Sequence, residues 1–549
     1  MSQGPQTTQP SRKISQSDRK VASTTVRVNG DKVRSLRKEL KLTQQELADA
    51  ARLAKKTIEN VEKGEPVYYG TLALLANALH IDASLLEATD DVRLLVLPFK
   101  NHSREPEPFV DGMTSSVISW LGLPKKLSVR SQYTSLTFKG VNTPLKSIAR
   151  ELGVDRILDG TVSSKSDTIV VVNLTLVDGL KDRVVWTKAY EAERHRILSV
   201  LASEVVSDVA GALGLETTKE EKGQMSSTHV VDPEAHIAYF TGRHYWSRPT
   251  EDALHKAIGY FQEAATRDPS WALPYSGLAD SYTLLGMGDF LAGTQAMAVA
   301  EESAKRALTR DFRSAEGHTS LAAVKAYFQW DWQEAEKSVR TAIQLNPRYQ
   351  TAHHVYAMAC LLPQGRFDEA IDQMSVAEYH DPLSFFVATC VGITCYYARR
   401  WEDAIKHLNR ALELQPNYYL ALWHLGWVFQ ARGDSERGLE LIQQATSEAH
   451  RSPQMLAVLS HACALAGKAD EALTISAELN ECANRRFVSF HELALACLGQ
   501  HDFNRTIELL EKAADQRAPA MTRIAVHPLF DPLRRDERFI NIGRKMGLL

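Results

Sequence analysis

The feature that most constrains the fold of this chain is a motif that recurs about every 34 residues in its second half. Five prolines follow an Asp, Asn or Gln, namely Pro233, Pro269, Pro347, Pro382 and Pro416. Alanines recur at fixed offsets before three of them, namely Ala257, Ala264, Ala335, Ala342, Ala404 and Ala411. Because alanines let two helices approach closely and a proline ends a helix, this pattern predicts a stack of helix pairs.

The period and these alanine and proline positions resemble the tetratricopeptide repeat. One good match consists of Gly392, Ala404, Ala411 and Pro416. The resemblance implies an α-solenoid of about eight repeats over residues 232–516, followed by a C-terminal tail at 517–549. It also implies a concave groove, lined by the first helix of each repeat, that binds a protein or peptide partner.

Counting from the prolines places six aromatic residues on the concave face, namely Tyr327, His354, Phe386, Tyr396, Trp423 and Trp427. For Phe386, a place in the core fits equally well. Trp423 and Trp427 lie one helical turn apart, while other apolar residues fill the packing positions of the same helix. We therefore expect these two tryptophans to bind the partner, and the alternative is that they belong to the core. Arg399 and Arg400 are candidates to hold an acidic group of that partner.

Residues 30–82 have a helical pattern throughout. Thr43 and Glu46 form a capping box, which predicts that a helix begins at Gln44. The next helix contains Ile58 and ends at Gly64. A first helix with an apolar face of Val33, Leu36 and Leu40 precedes these two, and a fourth ends near residue 81.

The run Leu-Thr-Gln-x-x-Leu-Ala at 42–48, with Thr-Ile-x-x-x-Glu-x-Gly at 57–64, resembles the Cro/phage-repressor (Xre) helix-turn-helix family. The resemblance implies an all-α domain over residues 28–86 that binds double-stranded DNA. Gln44 would contact a phosphate, and Lys55, Lys56 and Thr57 would enter the major groove, with Glu59 and Asn60 behind them. Lysines at a helix N-terminus suit phosphates and guanine edges.

Two positions depart from the family pattern. Arg52 replaces the glycine of the turn, and a non-glycine in the left-handed conformation costs about 1 kcal/mol. Ala54 replaces the serine cap of the third helix, which costs about another 1 kcal/mol. A contact between Arg52 and a DNA phosphate would offset part of this, so Arg52 joins the candidate DNA-binding residues. The alternative is a protein-interaction scaffold whose helix-turn-helix has lost DNA binding.

Residues 90–216 predict an α/β domain. Leu94–Leu97 form a buried strand, a helix follows Pro106, and alternation over 170–176 indicates a strand with one covered face. Leu97-Pro98-Phe99, Phe109-x-Asp111-Gly112 and Glu151-Leu152-Gly153 resemble the TolB-like amino-terminal domain. The resemblance implies a structural or sensory adaptor, as in bacterial regulators and adenylate cyclases. Asp111, before Gly112, is expected to be a turn or capping residue.

Together these resemblances imply a bacterial transcriptional regulator, and length and charge agree with several domains of different character. A length of 549 residues suggests three or four domains. Residues 1–83 hold 14 Lys and Arg against 9 Asp and Glu, although the whole chain has a net charge of −3. This asymmetry indicates that the N-terminal part meets a polyanion. Polar stretches at 1–27 and 217–231 predict a disordered basic arm and a linker.

Several function classes are not indicated. The sequence has no P-loop, no G-x-G-x-x-G after a strand, no H-E-x-x-H and no C-x-x-C, so we expect no enzyme activity, no cofactor and no metal. A secretory signal and an apolar run of about 18 residues are also absent, which predicts a cytoplasmic protein without membrane contact. Because proteins of the helix-turn-helix family usually act as dimers, a homodimer is a further expectation.

Overall fold

The structure is a computed structural model that describes residues 25–79, 86, 91–122, 124, 126–215, 231–247 and 250–549. Most of the predicted arm at 1–27, the end of the fourth helix near residue 81 and nearly all of the predicted linker at 217–231 lie outside these residues. The chain divides into two compact units, Met1–Thr89 and Asp90–Leu549. Among the described residues, no helix is both long enough and apolar enough to span a membrane.

The first unit is built from four helices, α1 (Gly30–Glu39), α2 (Gln44–Ala51), α3 (Lys55–Val61) and α4 (Tyr69–Ala78). Strands β1 (Thr25–Val26) and β2 (Val67–Tyr68) pair antiparallel. The predicted capping box at the start of α2 is confirmed, because the Thr43 side chain accepts from the Glu46 amide and the Glu46 carboxylate accepts from the Thr43 amide. The prediction for Leu40 was wrong: α1 ends before it, and its side chain is exposed.

The second unit begins with a mixed sheet. Its strands are β3 (Val92–Val96), β4 (Lys100–His102), β5 (Leu127–Val129), β6 (Arg156–Ser164), β7 (Ile169–Asp178) and β8 (Arg183–Glu193). The order is β5-β3-β6-β7-β8, with β4 also beside β6. Pairs among β3, β4, β5 and β6 are parallel, whereas β6, β7 and β8 pair antiparallel. The connecting helices are α5 (Glu107–Leu121), α6 (Gln132–Leu136), α7 (Leu145–Glu151) and α8 (Ile197–Ala212).

Both faces of strand β3 are buried, which explains its continuous apolar run. Leu94 and Val96 pack into one core with α5 and α8, and Leu95 packs into a second core with Ile148 of α7. The prediction for Asp111 was wrong: it lies within α5, and both of its carboxylate oxygens accept hydrogen bonds from Lys139 Nζ, at 2.6 and 2.7 Å.

The repeat region consists, over 231–247 and 250–515, of eight helix pairs. They are α9 (Pro233–Trp246) and α10 (Glu251–Arg267), α11 (Leu273–Met287) and α12 (Gly293–Arg310), α13 (Ala315–Val324) and α14 (Trp332–Leu345), α15 (Gln350–Val355) and α16 (Phe367–His380), α17 (Phe385–Tyr397) and α18 (Trp401–Leu414), α19 (Tyr419–Ala431) and α20 (Ser435–Glu448), α21 (Pro453–Leu465) and α22 (Ala469–Arg485), and α23 (Phe490–Gly499) and α24 (Phe503–Asp515). Helices α13 and α15 continue into π-helical turns, Lys325–Gln329 and Tyr356–Leu361.

The repeat prolines have two structural roles. Pro269, Pro347, Pro382 and Pro416 each directly follow the C-cap residue of a second helix, two positions beyond its last residue, so they mark the helix ends as the pattern predicts. Pro233 instead occupies the first position of α9, where a proline loses no helical hydrogen bond. The six recurring alanines are fully buried between helices. The repeated small residues therefore allow the paired helices to approach closely.

The α/β domain docks on the repeats through a polar and close-packed interface. Ser116 Oγ lies 2.6 Å from His236 Nε2, between α5 and α9. The buried Asp381 carboxylate accepts hydrogen bonds from Ser131 Oγ at 2.6 Å and Thr134 Oγ1 at 2.7 Å. A Cβ atom at Gly112 would lie only 3.1 Å from the Phe240 ring. Domain and repeats therefore form one packed body.

We expect Gly112→Leu to weaken this interface, because its side chain would overlap Phe240 on α9. Overpacking of this kind costs about 1–3 kcal/mol. Gly211→Leu is the matched control, since no atom lies within 4 Å of a Cβ there. Calorimetry should show a lower or split unfolding transition for Gly112→Leu alone; equal transitions for both variants would contradict the packing role of Gly112.

Candidate functional site

The start of helix α3 presents the predicted DNA-contacting residues. Lys55 and Lys56 occupy its first turn and are exposed, whereas Thr57 is half-buried. Ile58 and Val61 on the opposite side are fully buried and fix the helix to the domain core. The structure therefore displays two cations at a helix N-terminus, where the helix dipole adds further positive potential.

Glu59 and Asn60 are half-buried and follow on the same helix. The Glu59 carboxylate forms an ion pair with Lys56, at 3.3 Å between Oε2 and Nζ. Because this pair is solvent-exposed, it stabilises α3 only slightly and leaves Lys56 able to exchange partners. An incoming phosphate or base edge would have to compete with Glu59 for this ammonium.

Gln44 takes part in a hydrogen-bond network inside the domain. Its Nε2 donates to Glu62 Oε2 at 2.8 Å, and Arg37 Nε donates to Glu62 Oε1 at 2.5 Å. Burial raises the pKa of Glu62, but the hydrogen bonds from Arg37 and Gln44 outweigh it, so the pKa lies below its ordinary value. Glu62 thus joins α1, α2 and the end of α3 and orients Gln44. The prediction did not assign Glu62 a role, although the family pattern contains it.

Both departures from the family pattern have the predicted geometry. Arg52 adopts the left-handed conformation, with φ 55° and ψ 39°, and its side chain is exposed. Ala54 precedes α3 in an extended conformation and provides no side-chain cap. The turn therefore keeps the shape of a helix-turn-helix at the expected conformational cost.

The groove residues differ from the prediction. The exposed fraction is 3% for Tyr327, 0% for Tyr396, 8% for Trp423 and 5% for Trp427. The expectation that the two tryptophans lie open to a partner was therefore wrong. His354 and Phe386 keep part of their surface accessible, with ring centroids 5.1 Å apart.

Part of this burial arises because the C-terminal segment 517–549 covers Tyr396 and Trp427. It forms two short 3-10 turns, Pro519–Arg523 and Pro528–Leu533, and helix α25 (Glu537–Lys545). The His527 ring lies 4.8 Å from Trp427, 5.0 Å from Tyr397 and 5.7 Å from Tyr396, centroid to centroid. The predicted tail is thus an intramolecular occupant of the repeat surface.

Further contacts anchor this segment to distant repeats. Trp332 Nε1 donates to the Met546 carbonyl at 2.8 Å, and the Arg517 guanidinium lies 4.0 Å from the Trp330 ring. Asp531 forms an ion pair with Arg399 at 2.6 Å. Arg399 therefore holds an acidic group, as expected, but that group belongs to this chain. Arg400 pairs with Asp368 of α16.

Buried histidines line the contact between the segment and the repeats. Burial lowers the pKa of His424 to about 3 and the pKa values of His461 and His491 to about 4. Burial likewise places the pKa of His527 well below its ordinary value. Close by, burial raises the pKa of Glu492 to about 8, beside Asp289. At neutral pH these four histidines are therefore uncharged.

Comparison with known proteins identifies one part of the chain. A family model described as "Helix-turn-helix" matches residues 33–86. A Rhizobium meliloti (strain 1021) protein named "Putative adenylate cyclase 3" is 27% identical over 247 residues, which are 43% of this chain and 40% of that protein. The match thus spans less than half of the relative's length.

Solved structures are similar to part of the chain. The human IFIT1 dimer with m7Gppp-AAAA is 15% identical, with a TM-score of 0.40, over 59% of this chain and 82% of that one. A tetratricopeptide repeat protein from Parabacteroides merdae ATCC 43184 is 16% identical, with a TM-score of 0.33, over 43% of this chain and 93% of that one. This chain itself combines a helix-turn-helix domain, a mixed α/β domain and a tetratricopeptide-like helical region.

We expect Trp332→Phe to loosen the C-terminal segment, because it keeps an aromatic ring but removes the hydrogen bond to Met546. Such a loss costs about 0.5–1.5 kcal/mol. Trp246→Phe is the control, since its buried Nε1 has no hydrogen-bond partner. Hydrogen exchange should quicken over 537–546 in Trp332→Phe only. Unchanged exchange there would contradict the anchoring role of Trp332.

We also expect acid to destabilise the repeats through the buried histidines. Below a pH of about 6.5 the unfolded chain binds a proton at His424 that the folded chain does not, so stability falls by about 1.4 kcal/mol per pH unit for this residue. Glu492 has the opposite effect, because its pKa is higher in the folded chain: between its unfolded and folded pKa values, acid increases the stability that this residue contributes. His424→Gln should therefore show a smaller decrease in thermal midpoint between pH 6.5 and 5.0.

His255→Gln is the control for this titration, because His255 is exposed on α10. It should retain the pH dependence of the unsubstituted protein. If His424→Gln and His255→Gln lose stability in parallel on acidification, His424 is not held neutral by burial.

Proposed function

We propose that this protein is a bacterial DNA-binding transcriptional regulator. The helix-turn-helix is its output, and the repeats are its protein-interaction or sensing module. The observation that carries the proposal is the exposed pair Lys55 and Lys56 at the start of α3, in a segment that matches a helix-turn-helix family. Two lysines on a rigidly packed helix suit entry into the major groove.

The internal network around Glu62 supports the same proposal. Gln44 is held at the start of α2 by Glu62, and Arg37 holds the same carboxylate from α1. A phosphate-contacting side chain gains affinity when its position is fixed before binding. In this proposal Gln44 positions the domain on the DNA backbone, while Lys55, Lys56 and Thr57 face base edges, with Glu59 and Asn60 behind them.

The second candidate function is a protein-interaction scaffold that does not bind DNA. Three observations favour it: the ion pair of Lys56 with Glu59, the strained Arg52 and the absent cap at Ala54. Selection of DNA fragments by the purified protein at two salt concentrations separates the two candidates. A regulator yields a common sequence whose affinity falls with salt, because phosphate contacts release counterions.

For the α/β domain at 90–216 we propose a TolB-like structural or sensory adaptor. This domain packs directly on the repeats, where it contacts Asp381 and His236. This contact supports a role in passing a conformational change between the α/β domain and the repeats. We further propose that the regulator acts as a homodimer, since one helix-turn-helix contacts only one half-site. Sedimentation on a selected DNA site tests this; a monomer on the site would contradict it.

We propose no enzyme activity. The name of the Rhizobium meliloti relative does not carry over, because the match covers only 40% of that protein. The sequence of this chain has no P-loop and no G-x-G-x-x-G after a strand. Incubation of the purified protein with ATP and magnesium tests this; formation of cyclic AMP would contradict it.

We expect Lys56→Ala to weaken binding to the selected site by about 1–3 kcal/mol and to relax its sequence preference. Gln44→Ala should weaken binding more evenly across sequences, because a phosphate contact carries no base information. Fluorescence anisotropy with selected and scrambled DNA measures both effects.

The control is Lys181→Ala, which removes the same charge from the exposed turn between β7 and β8. Its affinity for both DNAs should stay within twofold of the unsubstituted protein. Lys56→Ala and Gln44→Ala variants that bind selected DNA as tightly as Lys181→Ala would rule out the proposed contacts.

A further inference from the structure

We propose that the C-terminal segment and the repeats enclose an anion site centred on Arg523, which takes a small ligand carrying a phosphate group. This site is independent of the helix-turn-helix. It would make the region between segment and repeats a ligand-sensing compartment.

Arg523 ends the first 3-10 turn of the segment and lies against two repeats. Its guanidinium carbon is 5.9 Å from the centre of the Tyr397 ring. Burial lowers the pKa of Arg523, but the charge interactions with Tyr397 and Tyr327 and a hydrogen bond with Tyr397 outweigh burial and raise it. Its Nε atom is buried and has no hydrogen-bond partner. The residue as a whole keeps part of its surface accessible, which leaves a small ligand a way to the guanidinium.

No salt bridge joins Arg523 to a carboxylate within the described part of the chain. The acids of this region are engaged elsewhere. Asp531 pairs with Arg399 and Arg534, and Glu492 Oε1 lies 3.2 Å from His491 Nδ1 and beside Asp289. The buried Nε side of the Arg523 guanidinium therefore has no counter-charge in the described part of the chain, and an anion bound there would supply one.

The surrounding histidines are uncharged at neutral pH, because burial lowers their pKa values. His424, His491 and His527 all lie close enough to Arg523 for its charge to help lower their pKa values. At neutral pH Arg523 therefore carries its positive charge beside three uncharged histidines. Neutral imidazoles around it can donate or accept hydrogen bonds as a ligand requires.

Two tryptophans add donors that no described residue satisfies. Trp423 Nε1 and Trp427 Nε1 are buried and have no acceptor. The two rings lie 4.8 Å apart, with His424 4.7 Å from the first and 5.1 Å from the second. An indole N–H can only donate, so these groups need an acceptor from outside.

The chemistry of this set favours a phosphate group. The unsatisfied groups include Arg523 Nε, Trp423 Nε1 and Trp427 Nε1, which are donors only. Gln430 Oε1 is an unpaired acceptor in the same repeat, but an amide oxygen cannot neutralise a charge. A phosphate presents several acceptor oxygens and pairs well with arginine. Inorganic phosphate and a phosphate monoester share this chemistry.

The test uses the full-length protein and two probes, inorganic phosphate and glycerol phosphate, each compared with chloride at the same ionic strength. We expect a saturable rise in thermal midpoint, because a ligand that binds only the folded state stabilises it. Tryptophan fluorescence should change at the same concentrations. A response to both probes indicates that inorganic phosphate is sufficient for binding. A response to glycerol phosphate alone indicates that the site requires a phosphate monoester. Equal effects of phosphate, glycerol phosphate and chloride would overturn the proposal.

Arg523→Gln should abolish the response, and Arg538→Gln, which removes an arginine paired with Glu511 on α24, should retain it. If Arg523→Gln does not fold, Trp427→Phe decides. It keeps a ring but removes a donor that has no acceptor in the free protein, so the fold should persist while the concentration needed for half-saturation rises at least fivefold. An unchanged response in Trp427→Phe or in folded Arg523→Gln would show that the site is not there.

Discussion

Close approach of the two helices in each repeat is the constraint on which the second unit depends. Between α17 and α18, a Cβ atom at Gly392 would lie 2.6 Å from Leu408 Cγ, so only glycine fits there. The buried alanines Ala404 and Ala411 serve the same end on α18. Because each pair packs on the next, this local requirement sets the course of the whole stack.

The stack brings remote parts of the chain to the C-terminal segment. Trp330 and Trp332, from the third helix pair, meet Arg517 and the Met546 carbonyl, while Trp427 from the sixth pair meets His527. The C-terminal segment thus buries the part of the repeat surface on which a protein partner was expected to bind. Any partner of this surface has to displace the segment or bind where His354 and Phe386 stay accessible.

In the helix-turn-helix, the sequence predicts most of the local structure because the signals are local. Thr43 and Glu46 lie three residues apart, and the cap they form needs no tertiary contact to be recognised. The left-handed turn at Arg52 follows from the family pattern in the same way. The partner of Gln44 is different, since Glu62 lies 18 residues away and is brought near by the packing of α3.

The sequence by itself determined the helix pairs, the buried strands and the exposed lysines of α3, because periodicity, caps and prolines act within a few residues. It also placed Trp423 and Trp427 on the first helix of one repeat. Only the tertiary structure decided that these rings are covered. The Trp427 ring is covered by His527, 100 residues further along, and the sequence of 517–549 does not indicate which repeats that segment contacts. Contacts at that separation depend on the summed geometry of several packed repeats, which local sequence patterns do not record.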